Sequence, residues 1–186
     1  MTPVGDYKID IPVADAANAE LAISKKSQGP AWGSMVSQYV SPILDVKQAK
    51  MPEISVSKAV YVVADSPEAT VKGASELKVG QKVRVTLTIS TTRDMDYVAV
   101  TDSRSACLEP ADQTSGYTSS DGLWFYREVR DESTNLFIGF LPKGTHVISY
   151  DCYVDRQGAY SLGIATVQSQ YAPQMVAHSA GKLITV

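Results

Sequence analysis

Histidine and cysteine are scarce in this chain, with two of each among 186 residues. Two isolated histidines and two scattered cysteines do not make a zinc site. Cys107 and Cys152 are too few for a disulfide scaffold and too far apart for a CxxC site. Nothing cationic stands next to Cys107 to activate it, so it reads as a buried thiol or one half of a disulfide. Cys152 shares the parity of Ile148 and Tyr150, and the expectation is that both cysteines are buried and not bonded to each other. His146 and His178 lack a GxSxG elbow or any other nucleophile signature, so no enzymatic activity is expected.

Other absences narrow the field further. No run approaches the ~20 apolar residues of a membrane helix. The N-terminus has neither a basic head nor an apolar stretch and does not read as a signal peptide. There is no GxGxxG, no Walker loop and no NxS/T acceptor: Asn18 and Asn135 are both followed by the wrong residues. With 17 Lys and Arg against 20 Asp and Glu, the net charge is −3. That balance argues against a nucleic-acid partner and against insertion into a membrane surface. Neither metal nor cofactor is expected. Asp94, Asp96 and Asp102 lack the spacing of a calcium loop and read as solvated acids at a hairpin turn and a polar strand end.

What the chain does have is alternation. Val83, Val85, Leu87 and Ile89 interleave with Arg84, Thr86 and Thr88, the period of a half-buried strand. The same pattern runs through Tyr7–Val13, Ile148–Val154 and Tyr160–Ile164. Further β-rich runs are Ile54–Val63, Tyr97–Thr101, Leu123–Glu128, Thr134–Leu141 and Lys182–Val186. Turn signals such as Thr92-Arg93-Asp94, Ser120-Asp121-Gly122 and Pro142-Lys143-Gly144 separate them. Short strands at this spacing suggest an all-β sandwich or barrel. Ala14–Glu20 reads as a turn, and Ser41–Ala49 as a connector with one helical turn.

A boundary falls at 41–53, where two prolines and four charges interrupt the alternation. Residues 1–40 hold about three strands, and 40 residues is at the lower limit for independent folding. Residues 54–186 form the main domain.

Several stretches together resemble the C-terminal part of bacterial α2-macroglobulin-like proteins, in particular the Bacteroidetes branch. They are Pro30-Ala31-Trp32-Gly33 through Gln38-Tyr39, RDMDYVAVTDSRSACLEP (93–110), Ser115-Gly116-Tyr117, the block 127–173 with Leu141-Pro142-Lys143-Gly144-Thr145 and Gln170-Tyr171-Ala172-Pro173, and His178-Ser179. The resemblance covers about residues 30–186. It implies a terminal macroglobulin domain, an immunoglobulin-like antiparallel sandwich corresponding to the receptor-binding domain of the animal proteins. Residues 1–40 would then be the last strands of a preceding domain, with Trp32 near the junction. The parent would be a large periplasmic, cell-surface or extracellular protein that traps proteases after bait-region cleavage. The family's Cys-x-Glu-Gln thioester motif is not in this chain, since Cys107 is followed by Leu108-Glu109-Pro110. The bait region is absent as well.

The first functional expectation is therefore a non-catalytic module that docks on neighbouring macroglobulin domains and meets proteases only through the full-length protein. Tyr61, Phe137 and Tyr153 fall on the opposite parity from their strands' core faces and are the candidate contact surface. The alternative is an adhesion or carbohydrate-binding module, in which Tyr117, Trp124, Phe125 and Tyr126 form a stacking platform for sugar rings.

Overall fold

The computed structural model describes residues 8–12, 20, 22–26, 28–33, 35–36, 38, 40–63 and 76–186. The chain divides into two units, Met1–Tyr39 and Val40–Val186. In the first unit no described residue belongs to a strand, and Ile9, Ile23 and Trp32 are exposed. The turn expected over 14–20 lies outside the described residues apart from Glu20.

The second unit is an all-β sandwich. One sheet has four strands in the order β1 (Ile54–Val62), β2 (Lys82–Thr91), β8 (Gly144–Val154), β4 (Leu108–Pro110). The other has six, in the order β11 (Val176–His178), β10 (Ala165–Ser169), β3 (Met95–Ser103), β7 (Ser133–Leu141), β6 (Leu123–Val129), β5 (Gly116–Ser120). All pairings within the two sheets are antiparallel. A small third sheet joins β9 (Ala159–Ser161) to β12 (Leu183–Thr185).

The period-2 pattern turns one row of each strand inward. Val83, Val85, Leu87 and Ile89 from β2 meet Val98 and Val100 from β3 and Leu136 and Ile138 from β7 in one dry core. Apolar burial on this scale stabilises by roughly 25 cal/mol per Å² removed from water. Cys107 and Cys152 lie within that core as free thiols, as expected. Burial pushes the Cys152 thiol up to about 12, which keeps it protonated and unreactive.

Two expected connections differ. Thr92-Arg93-Asp94 does not close a hairpin, because β2 and β3 lie in different sheets and the segment crosses between them. Asp94 accepts a hydrogen bond there from the Lys143 backbone N–H at 2.7 Å, tying this crossing to the β7–β8 crossing. The alternation through Tyr160–Ile164 is likewise not one strand. It breaks at Gly163, where φ is 77° and a Cβ would fall 2.0 Å from Ser103 O, so no side chain fits there. By contrast Asp121-Gly122 makes the two-residue turn between β5 and β6, with both residues left-handed at φ 51° and 74°.

The connector carries the single expected helical turn, at Ile43–Asp45. It lies against the sandwich rather than free of it. Ala49 and His178 bond to each other's backbone, and the Gln48 side-chain amide donates to Val56 O at 2.6 Å.

Candidate functional site

The two outer faces of the sandwich have different chemistry. The face of the four-stranded sheet is hydroxyl-rich and charged, with Thr86 against Ser149 at 3.0 Å and Ser90 against Thr145 at 2.9 Å. Tyr61 and Tyr153 lie on this face, flanking Lys82, Arg84 and Asp151. Phe137 lies on the outer face of the other sheet. The three candidate contact residues therefore do not form one surface, because parity marks a side chain as outward without saying which sheet it leaves.

Phe137 belongs to an aromatic groove instead. Cross-strand register sets Tyr117 beside Tyr126, Tyr126 beside Phe137, and Phe137 beside Ala99. The Tyr117 and Trp124 rings are stacked nearly parallel, 9° apart with centroids at 6.3 Å, and Tyr117 meets Tyr126 edge-on at 5.2 Å. Phe125, expected on the same platform, points inward and is buried. The groove has a volume of about 600 Å³ and no charged residue in its lining.

A break in alternation builds the groove. Tyr97 has a left-handed backbone, φ 52°, which is uncommon for a bulky residue. It falls opposite Gly139, between the pairs Asp96–Phe140 and Val98–Ile138. Met95 and Val98 both face the core, so Asp96 and Tyr97 both face out, and on β7 Gly139 and Phe140 do the same. Two aromatics are thereby added to the outer face on either side of Gly139. A Cβ on Gly139 would meet nothing within 4 Å, so this glycine forms an open floor.

A second cluster lies between the sheets, and the sequence reading missed it. Lys58 on β1 and Asp102 on β3 point inward and meet, Nζ to Oδ1, at 2.5 Å with side chains 2% and 0% exposed. Asp102 is therefore not the solvated strand end expected. Lys58 donates to Ser103 O at 2.7 Å and Leu162 O at 2.9 Å, carbonyls brought together by the close approach of Gly163. The Tyr150 hydroxyl donates to Asp102 Oδ2 at 2.6 Å. Burial pulls the Lys58 ammonium below the usual lysine range, against the opposing pull of Asp102. Burial, then the neighbouring Asp102 charge, holds the Tyr150 hydroxyl well above 10. A usable signal existed: Lys58 has the inward parity of Ile54, Val56 and Val60, and Asp102 that of Val98 and Val100.

The histidines are structural. His146 Nε2 lies 2.9 Å from Pro142 O, and His178 Nδ1 lies 3.0 Å from Ser179 O. Among the described residues no group of three His, Cys, Asp or Glu side chains could hold a metal ion.

A family model described as the bacterial alpha-2-macroglobulin MG10 domain matches residues 54–174. Among solved structures, Salmonella alpha-2-macroglobulin reacted with methylamine is similar, with a TM-score of 0.61 and 22% identity. That match covers 75% of this chain and 9% of the Salmonella chain. Native Escherichia coli alpha-2-macroglobulin from domain MG7 to the C-terminus gives a TM-score of 0.60 at 17% identity, covering 75% of this chain and 24% of that one. A curated protein, circularly permutated Ras protein 2 of Dictyostelium discoideum, is 25% identical over 103 residues, 55% of this chain and 3% of its own length. The chain thus spans a small part of each relative. Identities below 25% speak for the fold alone.

Proposed function

Because the chain belongs to the bacterial alpha-2-macroglobulin MG10 domain family, we propose that it is a non-catalytic interaction module of a much longer exported protease inhibitor, docking on neighbouring macroglobulin domains. The observation that carries this reading is the uncharged aromatic groove around Phe137 and Trp124. Trp124 is 64% exposed and Tyr117 71%, and contiguous exposed aromatics of this kind mark contact sites. An apolar, charge-free lining suits an apolar segment of a domain in the same chain, held at high effective concentration. The similar structures include E. coli alpha-2-macroglobulin activated by porcine elastase and by trypsin, which supports a parent that meets proteases. Residues 1–40 in this reading are the closing strands of a preceding domain, and 41–53 is the linker.

The test uses the full-length parent. Gly139→Leu fills the groove floor with no backbone clash, and Trp124→Ala removes its wall. Each should make the native parent more susceptible to limited proteolysis and weaken protease trapping. Tyr61→Ala and Tyr153→Ala, on the other sheet, should do neither. Unchanged trapping in the groove variants overturns the reading. The exposed, parallel Tyr117 and Trp124 rings also offer an aromatic face to a sugar ring, and glycan binding by this chain that Trp124→Ala abolishes would put the carbohydrate-binding reading in its place.

A further inference from the structure

We propose that Lys58 and Asp102 are a self-modification site, at which the two side chains condense into an amide that covalently joins the two sheets. The reactants come from facing sheets and meet where bulk water is absent, at 2.5 Å with side chains 2% and 0% exposed. Oδ1 has no partner with hydrogen-bond geometry although Nζ is so near. The nitrogen thus lies within reach of the carboxyl group but off the hydrogen-bond line. Holding two reacting groups at such separations converts a bimolecular reaction into a unimolecular one.

The step balances without any other reactant. Moving one proton from Nζ to the carboxylate turns the ion pair into amine and carboxylic acid. Desolvation favours this uncharged pair. Nζ then bonds to the carboxyl carbon of Asp102, and one carbon–oxygen bond breaks. The departing oxygen carries its acid proton and takes one from Nζ, leaving as water. Nothing is oxidised or reduced.

Neighbouring groups fit these roles. Tyr150 donates to Oδ2 at 2.6 Å, which polarises the carboxyl group and supports negative charge on that oxygen as the carbon becomes tetrahedral. Its hydroxyl keeps its proton, since burial holds it well above 10. The carbonyls of Ser103 and Leu162 fix Nζ at 2.7 and 2.9 Å. The product amide keeps one N–H for one of them. It also removes two charges whose burial in the core is costly.

Intact mass spectrometry of the denatured 186-residue chain is the test, after incubation of the folded protein at neutral pH. The expected result is a mass one water below that of the sequence, with a joined Lys58–Asp102 fragment after proteolysis. Lys58→Arg should have the full sequence mass. Asp102→Asn should lose ammonia instead and reach the same product mass as the parent sequence. Tyr150→Phe should slow or abolish the loss while remaining soluble. A wild-type chain at full sequence mass overturns the proposal. So does a loss of water that maps to a ring at Asp102-Ser103 rather than to Lys58.

Discussion

Asp102 and Asp151 are both strand aspartates paired with cations from the four-stranded sheet, yet they work in opposite settings. Asp102 is sealed between the sheets with Lys58 and Tyr150. Asp151 lies on the outer face, 2.8 Å from Arg84 Nε and 3.0 Å from Lys82 Nζ, with side chains of those partners 52% and 41% exposed. Water screens the outer cluster and can replace either partner. Inside, no solvent takes the place of a lost partner. The lesson is that the same two residue types contribute to stability according to depth rather than to distance.

The largest break in this comparison should come from Asp102→Leu. It leaves an unpaired ammonium in the core, at a cost of about 3–5 kcal/mol. Urea unfolding should show the midpoint falling steeply with little change in slope. Adding Lys58→Met should recover much of that loss, since an apolar pair of similar volume tolerates the site. Any share not recovered belongs to Tyr150, left without its acceptor, and to a covalent link if one forms. A double variant no more stable than the single would show that depth is not what separates the two aspartates.

Asp151→Ala should cost far less, about 0.2–1 kcal/mol, and the difference should shrink further in high salt. A loss equal to that of Asp102→Leu would erase the comparison. The smallest effect concerns acid. The Arg84 hydrogen bond holds the Asp151 carboxyl below its ordinary value of 3.8. Asp112 is held at about 2, first by the Thr114 backbone N–H and then by Arg127. Both folded values are depressed, so their contributions are present above pH ~4 and fade as pH falls through the folded values. Stability between pH 6 and about 4 should therefore be flat in these two groups, with a slight decline below. Asp112→Asn should flatten that decline.

Much of the sandwich was legible because burial on one face writes period 2 into the sequence. The inward rows of β1, β2 and β8 follow it directly, and those of β3 and β7 follow it with one interruption each. β4, β5, β10 and β11 escaped notice because they are short and rich in small residues, glycine or proline, as in Gly116-Tyr117-Thr118-Ser119-Ser120. Phe137 was legible as outward, but the groove around it was not. That depends on the left-handed Tyr97 opposite Gly139, a paired interruption on two strands far apart in sequence. The Lys58–Asp102 contact was hidden for a related reason. Parity turns each inward, and only the topology of two sheets makes them face each other.

The placement of the connector has a consequence for self-association. Strand edges with unpaired backbone groups are templates for other chains. Among the described residues, three of the four edges of the two main sheets are short: β4 and β11 have three residues and β5 has five. β4 also ends in Pro110, which cannot donate to a ladder. β1 is the long edge, at nine residues. Gln48 caps its Val56 carbonyl, and the backbone N–H of Met51 bonds Ile54 O. The connector thus acts as a guard on the longest edge among the described strands. Cutting the chain after residue 39 should leave that guard in place and the protein monomeric. Cutting after residue 50 should uncover the edge, and the product should form strand-paired oligomers that light scattering detects as they grow.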